Sequence, residues 1–179
     1  MSPTYKLIDH VFIIGMPGSG KSTLANKLST KFGLPIIDID HLIVYDEGQP
    51  ISDIWNSQGE FYFRVKERMN LFNVLASEPK IIATGGGLPC YFNNSMIINK
   101  HYSVFLKVNL DELVLRNANS KNPLFTATPS TDQIASLLER RINYYERANR
   151  VIESEDNLEA LANNFLNFLL LVGILQSNV

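Results

Sequence analysis

Val11-Phe12-Ile13-Ile14-Gly15-Met16-Pro17-Gly18-Ser19-Gly20-Lys21-Ser22-Thr23 joins a continuously apolar run to a glycine-rich turn and then to a helix-forming segment. An unbroken apolar run is what a central parallel strand needs when helices cover both of its faces. The turn satisfies G-x-x-x-x-G-K-[ST] in the strand, loop, helix order that gives the pattern its meaning. Its glycines let backbone N–H groups converge on phosphate oxygens at a helix N-terminus, where unpaired donors and the helix dipole both favour an anion. Gly18, Ser19, Gly20, Lys21, Ser22 and Thr23 are therefore the expected nucleotide-binding residues. Lys21 is expected to reach the β- and γ-phosphates and the Ser22 hydroxyl to ligate Mg²⁺. An ordinary glycine turn would not require the lysine, the hydroxyl and both spacings to coincide, so a nucleoside triphosphate with Mg²⁺ is implied.

Working outward, short β-rich runs at 10–14, 35–39, 80–84, 102–108 and 151–153 alternate with longer helix-like windows. Alternation of this kind is the signature of α/β folds, and the apolar runs predict a parallel sheet. Ligands of such sheets bind outside the carboxyl ends of the strands. A length of 179 residues fits one domain spanning 1–179. With 16 basic and 18 acidic residues, a net charge of −2 gives no field for holding a nucleic acid. The lone Cys90 excludes an internal disulfide and fits a reducing, cytoplasmic setting. No long apolar core precedes the first strand, so no cleaved leader is expected. The apolar stretch 165–175, interrupted by Asn167, falls well short of the roughly 20 residues needed to span a bilayer. It predicts a docked C-terminal helix and no membrane partner.

On the acceptor side, Asp38 and Asp40 end the second run, and the period of two in a strand places both carboxylates on one face. One would orient the water shell of Mg²⁺ and the other would take a hydrogen bond or a proton from an acceptor hydroxyl. Asp40 serves equally well as the cap of a helix starting near His41. Arg64 and Glu67 are three apart and touch on one helix face, ordinarily as a solvated ion pair. Gly85-Gly86-Gly87 follows the third run and admits a ligand close to the backbone, as a flexible turn also would. Trp55 and Phe63 fit a pocket lining and a core equally. His10, His41 and His101 show no ligand spacing, and Cys90 reads as a small buried hydrophobe.

The phosphate loop, Asp38-x-Asp40, Ser52-Asp53-Ile54, Phe63-Arg64-x-x-Glu67, Gly85-Gly86-Gly87 and Arg141-x-x-x-Tyr145 occur in one order over nearly the whole chain. In this the sequence resembles the shikimate kinases, within the P-loop nucleoside-monophosphate-kinase-like enzymes. The resemblance implies a three-layer α/β/α fold with a five-stranded parallel sheet and a mobile lid at about 116–130. It implies ATP-dependent phosphorylation of shikimate to shikimate 3-phosphate, in chorismate and aromatic amino-acid biosynthesis, by a cytoplasmic monomer. Lys21, Asp40 and Asp38 would be catalytic. Asp40 and Arg64 would hold the acceptor, Gly86 would supply a backbone contact and Arg141 would pair with its carboxylate. Paired arginine forks suit a small anionic acid better than a neutral sugar.

The sequence also departs from that pattern. The lid arginine of an Arg-Pro-Leu motif is replaced by Asn122 in Ser120-Lys121-Asn122-Pro123-Leu124-Phe125. Arg116 matches an earlier nucleotide-side arginine with a spacing one residue shorter, so Arg116 and Asn122 complete the expected nucleotide contacts. Asn143 replaces a proline after Arg141. Lysine lacks the guanidinium fork, so Lys121 would compensate only in part. A related small-metabolite kinase, such as one for gluconate, and a nucleotide-binding module without turnover are the competing readings. Arg64, Arg141 and the triple glycine favour the shikimate type.

Overall fold

Residues 4–118, 123–125, 128–154 and 157–178 are described in the computed structural model. In chain order the elements are β1 (Thr4–Leu7), β2 (Val11–Ile14), α1 (Lys21–Phe32), β3 (Ile36–Asp38), α2 (Ile39–Glu47), α3 (Ile51–Leu75), β4 (Ile81–Ala83), α4 (Asn94–Ile98), β5 (Tyr102–Lys107), α5 (Leu110–Asn117), α6 (Thr131–Tyr145), β6 (Arg150–Glu153), α7 (Leu158–Leu171) and β7 (Leu175–Asn178). A turn of 3₁₀ helix, Leu88–Cys90, follows the triple glycine.

Five of the strands form one parallel sheet in the order β3-β4-β2-β5-β6, as expected. Val11 pairs with Ile81 on one side and with Tyr102 on the other, so β2 is central. Its unbroken apolar character has a direct cause. Val11 and Ile13 pack with Leu24 and Leu28 of α1 and Leu161, Phe165 and Leu169 of α7. Phe12 and Ile14 point the other way and pack with Ile39 and Ile43 of α2, Leu71 of α3 and Ile134 of α6. Helices therefore cover both faces, and the phosphate loop leaves β2 where chain connections part to either side, the usual ligand crevice of such sheets.

Two features correct the sequence reading. The second strand ends at Asp38, because the Asp38 carboxylate accepts hydrogen bonds from the backbone N–H groups of Asp40 (2.9 Å) and His41 (3.2 Å) and starts α2 there. Asp38 is thus the cap and Asp40 lies in the first helical turn, so strand alternation does not govern the pair. The stretch 165–175 does dock as a helix, with Phe165, Leu166 and Leu169 buried, but it leaves the helix after Leu171. Gly173, at φ 74°, turns the chain into β7, which pairs antiparallel with β1 in a separate two-stranded ribbon that the sequence reading does not contain. Among the described residues no helix is long and apolar enough to cross a membrane.

Candidate active site

The phosphate loop runs from the end of β2 to Lys21, the first residue of α1. Gly20 precedes the helix at φ 94°, and no side chain caps the first turn, so its N–H donors are left to the loop. Lys21 is buried, and its Nζ donates to the carbonyls of Gly15 (3.0 Å) and Met16 (2.7 Å) and to Ser19 Oγ (3.3 Å). Burial lowers its pKa to about 8 against the attraction of Asp40 and Asp38, which still leaves it charged at neutral pH. The Ser22 hydroxyl donates to Asp38 Oδ2 at 2.5 Å, tying the cap of α2 to the start of α1.

A cavity of about 330 Å³ adjoins the loop, lined by Gly18, Ser19, Gly20, Thr23, Arg116, Ser154, Leu158 and Leu161. Arg116 reaches it from α5: its Nε donates to Glu112 (2.7 Å) and its Nη1 to the Ser19 carbonyl (3.3 Å). The shorter spacing noted in the sequence therefore still brings Arg116 onto the loop. Asn117, which no sequence signal singles out, is buried beside it and donates from Nδ2 to the carbonyls of Pro17 (3.0 Å) and Leu113 (2.8 Å). The segment 116–130 is only partly described, and Lys121 and Asn122 lie outside the described residues.

On the other side of Pro17 lies a cavity of about 190 Å³ whose wall includes Asp40, Trp55, Phe63, Arg64, Glu67, Gly85, Gly86, Gly87 and Arg141. The glycines form a ridge that side chains crowd from two sides. A methyl group on Gly85 would lie 2.6 Å from Asp40 Oδ1 and 2.6 Å from Glu67 Oε1, and one on Gly87 would collide with the Arg64 guanidinium. No larger residue fits there without displacing the charged groups.

Arg64 is only 4% exposed and donates from Nη1 to Glu67 Oε2 (2.7 Å) and from Nε and Nη2 to Glu60 Oε1 (3.2 and 3.1 Å). Three of the five guanidinium N–H donors are thereby engaged and two are left. Tyr91, its ring 4.3 Å from the guanidinium carbon, covers one side, and Trp55 and Phe63 lie at 5.3 Å. Both aromatics serve the pocket. Glu67 is 1% exposed, so the pair with Arg64 is buried rather than solvated as the sequence suggested. The signal was present: Glu67 shares the buried face of α3 with Phe63, Leu71 and Val74. Arg141 is buried and belongs to the pocket wall, whereas the adjacent Arg140 is exposed and donates to Ser136.

Burial raises the pKa of Asp40 to about 6, helped by Asp38 and opposed by Lys21, Arg64 and His41. Burial likewise raises Glu67 to about 7, opposed chiefly by Arg64. Among the described residues the buried side-chain polar atoms without a hydrogen-bond partner are Asp40 Oδ1, Glu67 Oε1, Arg141 Nη1 and Asn117 Oδ1, the first three belonging to residues of this one pocket. Of the expected bystanders, His10 and His101 lie apart from the site, whereas His41 and Cys90 lie within electrostatic reach of its charged groups. His10 and His101 meet edge to face at 5.6 Å by the starts of β2 and β5, and burial pushes the Cys90 thiol up to about 11. No cluster of His, Cys, Asp and Glu able to hold a metal by itself occurs among the described residues.

Comparison with known proteins identifies the family and the fold. The sequence model of the family described as shikimate kinase matches residues 17–170. A shikimate kinase of Clostridium botulinum is 38% identical over 159 residues, 86% of this chain and 92% of the relative. The crystal structure of the Bacteroides thetaiotaomicron shikimate kinase superposes with a TM-score of 0.81 at 29% identity, covering 90% of this chain and 98% of that one. The Acinetobacter baumannii shikimate kinase, solved in complex with shikimate, superposes with a TM-score of 0.84 at 26% identity, covering 90% and 93%. A family model matching residues 17–170 and a relative 38% identical over 86% of the chain place this chain, with its phosphate loop and charged, glycine-floored pocket on either side of Pro17, in the shikimate kinase family.

Proposed function

We propose that the pocket floored by Gly85-Gly86-Gly87 binds shikimate and that its 3-hydroxyl attacks the γ-phosphate of ATP held by the phosphate loop. ATP-dependent phosphorylation of shikimate, yielding shikimate 3-phosphate and ADP, is the activity of this chain's family. The observation that carries the reading for this pocket is the set of three buried, unpartnered atoms that it gathers. Asp40 Oδ1 and Glu67 Oε1 need donors, as ring hydroxyls are, and Arg141 Nη1 needs an acceptor, as a carboxylate is. Leaving such groups buried and unpaired costs about 1–3 kcal/mol each, more for charged ones, so a polyhydroxy acid relieves what the fold leaves unmet.

In this reading Arg64 and Arg141 orient the carboxylate and Asp40 orients the attacking hydroxyl. As its oxygen bonds to the γ-phosphorus and the bridging bond to ADP breaks, the hydroxyl proton passes to Asp40. Lys21 offsets charge on the transferring phosphoryl group, and Arg116 holds the nucleotide. Phosphoryl transfer asks for positioning and charge neutralisation more than covalent help. The Ser22 hydroxyl and the Asp38 carboxylate, 2.5 Å apart beside Lys21, are the all-oxygen donors a hard cation prefers, so they fit Mg²⁺, Asp38 through water. Mg²⁺ would supply charge neutralisation on the phosphates. We further read 1–179 as one domain, working as a monomer in the cytoplasm.

The test is ADP release from Mg-ATP with and without shikimate, with gluconate and nucleoside monophosphates as rival acceptors. Shikimate-dependent release is expected. ATP binding with no acceptor-stimulated release would reduce the chain to a nucleotide-binding module, and preference for gluconate would move it to the related kinases.

A further inference from the structure

We infer that the Tyr145 hydroxyl is a positioning group that sets the acceptor pocket against the phosphate loop. The inference rests on the acceptor reading above and concerns a residue that touches neither proposed substrate.

Tyr145 closes α6 four residues after Arg141, so the two side chains share one face of the helix. Its side chain is fully buried, and its hydroxyl donates to the Gly86 carbonyl at 2.5 Å. The same oxygen lies 3.8 Å from Met16 Sδ at the start of the phosphate loop, and the ring packs on Phe105 of β5 with 5.2 Å between centroids. Gly86 is held from its other side by the loop itself: a methyl group there would lie 2.7 Å from Pro17 Cδ. One peptide of the acceptor ridge is therefore fixed between α6, through Tyr145, and the nucleotide site, through Pro17.

A phenylalanine ring would fill the same space, so what the hydroxyl adds is its polar contacts: the bond to the Gly86 carbonyl, the weaker one to Met16 Sδ and an interaction with Arg141. Burial pushes its ionisation above the ordinary range of a phenol, and it stays a donor throughout the working pH range. The consequence follows from in-line transfer. The attacking hydroxyl and the γ-phosphorus belong to two molecules on opposite sides of Pro17, and a misplacement of about 1 Å can cost a reaction about a hundredfold. A ridge free to shift against Pro17 would bind each substrate separately yet hold them at the wrong separation.

The test compares the unsubstituted chain with Tyr145→Phe, which keeps the ring and deletes the contacts of the hydroxyl, the bond to Gly86 first among them. The kcat is expected to fall about tenfold or more while the KM values for shikimate and ATP stay within about twofold, the pattern of an interaction felt in the transition state. A second readout needs no acceptor. Mg-ADP is expected to slow amide exchange in residues 16–20 and 85–88 of the unsubstituted chain but only in 16–20 of the variant. The inference is overturned if kcat stays within about twofold, if KM alone changes, if the variant keeps ridge protection, or if the unsubstituted chain never shows it. A chain that releases no ADP in response to shikimate would sink the acceptor reading alone, and the exchange comparison would still decide the role of Tyr145.

Discussion

Asp40 on α2 and Glu67 on α3 reach the same point from two helices: one oxygen of each lies 2.6 Å from where a methyl group on Gly85 would sit, and neither oxygen has a hydrogen-bond partner. The glycine is what lets both carboxylates face the pocket. Gly85→Ala would push them apart and is expected to raise the KM for shikimate at least about tenfold while costing about 1–3 kcal/mol of stability, as overpacking does. Steady-state kinetics and urea unfolding check the two effects separately. Unchanged KM would mean that the ridge does not shape the acceptor site.

The pH dependence of kcat/KM should be bell-shaped. Asp40 must be ionised to take a proton, and with its pKa raised to about 6, activity falls as pH drops through that value. Lys21 must be charged, and with its pKa lowered to about 8, activity falls again as pH rises through that value. The two limbs belong to a coupled cluster and are read as apparent values. An acid limb at an ordinary carboxylate pKa would count against Asp40 as the group that accepts the proton.

Glu67 also ties pH to stability. Its pKa in the fold is raised from 4.5 to about 7, so the folded chain holds this proton more tightly than the unfolded one. Stability is lost as pH rises through that window. His10 pulls the other way, because burial lowers its pKa, so the useful quantity is a difference between two proteins. Glu67→Gln removes the Glu67 contribution, and its Tm relative to the unsubstituted chain should climb between pH 5 and 8. A constant difference would contradict the burial cost assigned to this carboxylate.

Arg64 and Glu67 form an ion pair in which each partner makes the other tolerable. Arg64→Met strands a carboxylate that is 1% exposed and should destabilise the fold by about 3–5 kcal/mol. Adding Glu67→Leu should recover much of that loss, since replacing a whole buried pair by apolar groups is often nearly neutral. Denaturant unfolding of both single variants and the double variant checks the cycle. Additive losses would show that the pair is not coupled.

Asn122 stands where the family resemblance calls for a lid arginine. An arginine that meets transition-state charge contributes about 10³ to 10⁵ in related phosphoryl transfer. Asn122→Arg is therefore expected to raise kcat about tenfold or more. No change would mean that Lys121 or Arg116 already does this work.

Much of this was legible in the sequence because its signals are local. The phosphate loop, the apolar β2 and the triple glycine need only their own neighbours to be read. The errors arose where a distant partner decided the outcome. Asp38 ends its strand because its carboxylate caps the helix that follows, and alternation alone could not show where the helix takes over. Glu67 looked solvated because charge pairs usually are, although its register with Phe63, Leu71 and Val74 pointed inward. The β1–β7 ribbon joins segments separated by most of the chain, each too short and too polar to announce itself. Asn117 is informative only beside Pro17, which lies 100 residues earlier.

The opposite orientation of Phe12 and Ile13 has a consequence for how this chain tolerates change. Adjacent in sequence, they belong to different interiors: Ile13 to the one built with α1 and α7, Phe12 to the one built with α2, α3 and α6, where Asp40, Arg64 and Arg141 reside. The sheet backbone insulates the two. Volume changes behind Ile13 should add independently to changes behind Phe12, so the first interior is open to redesign for stability while acceptor selectivity drifts or is engineered in the second.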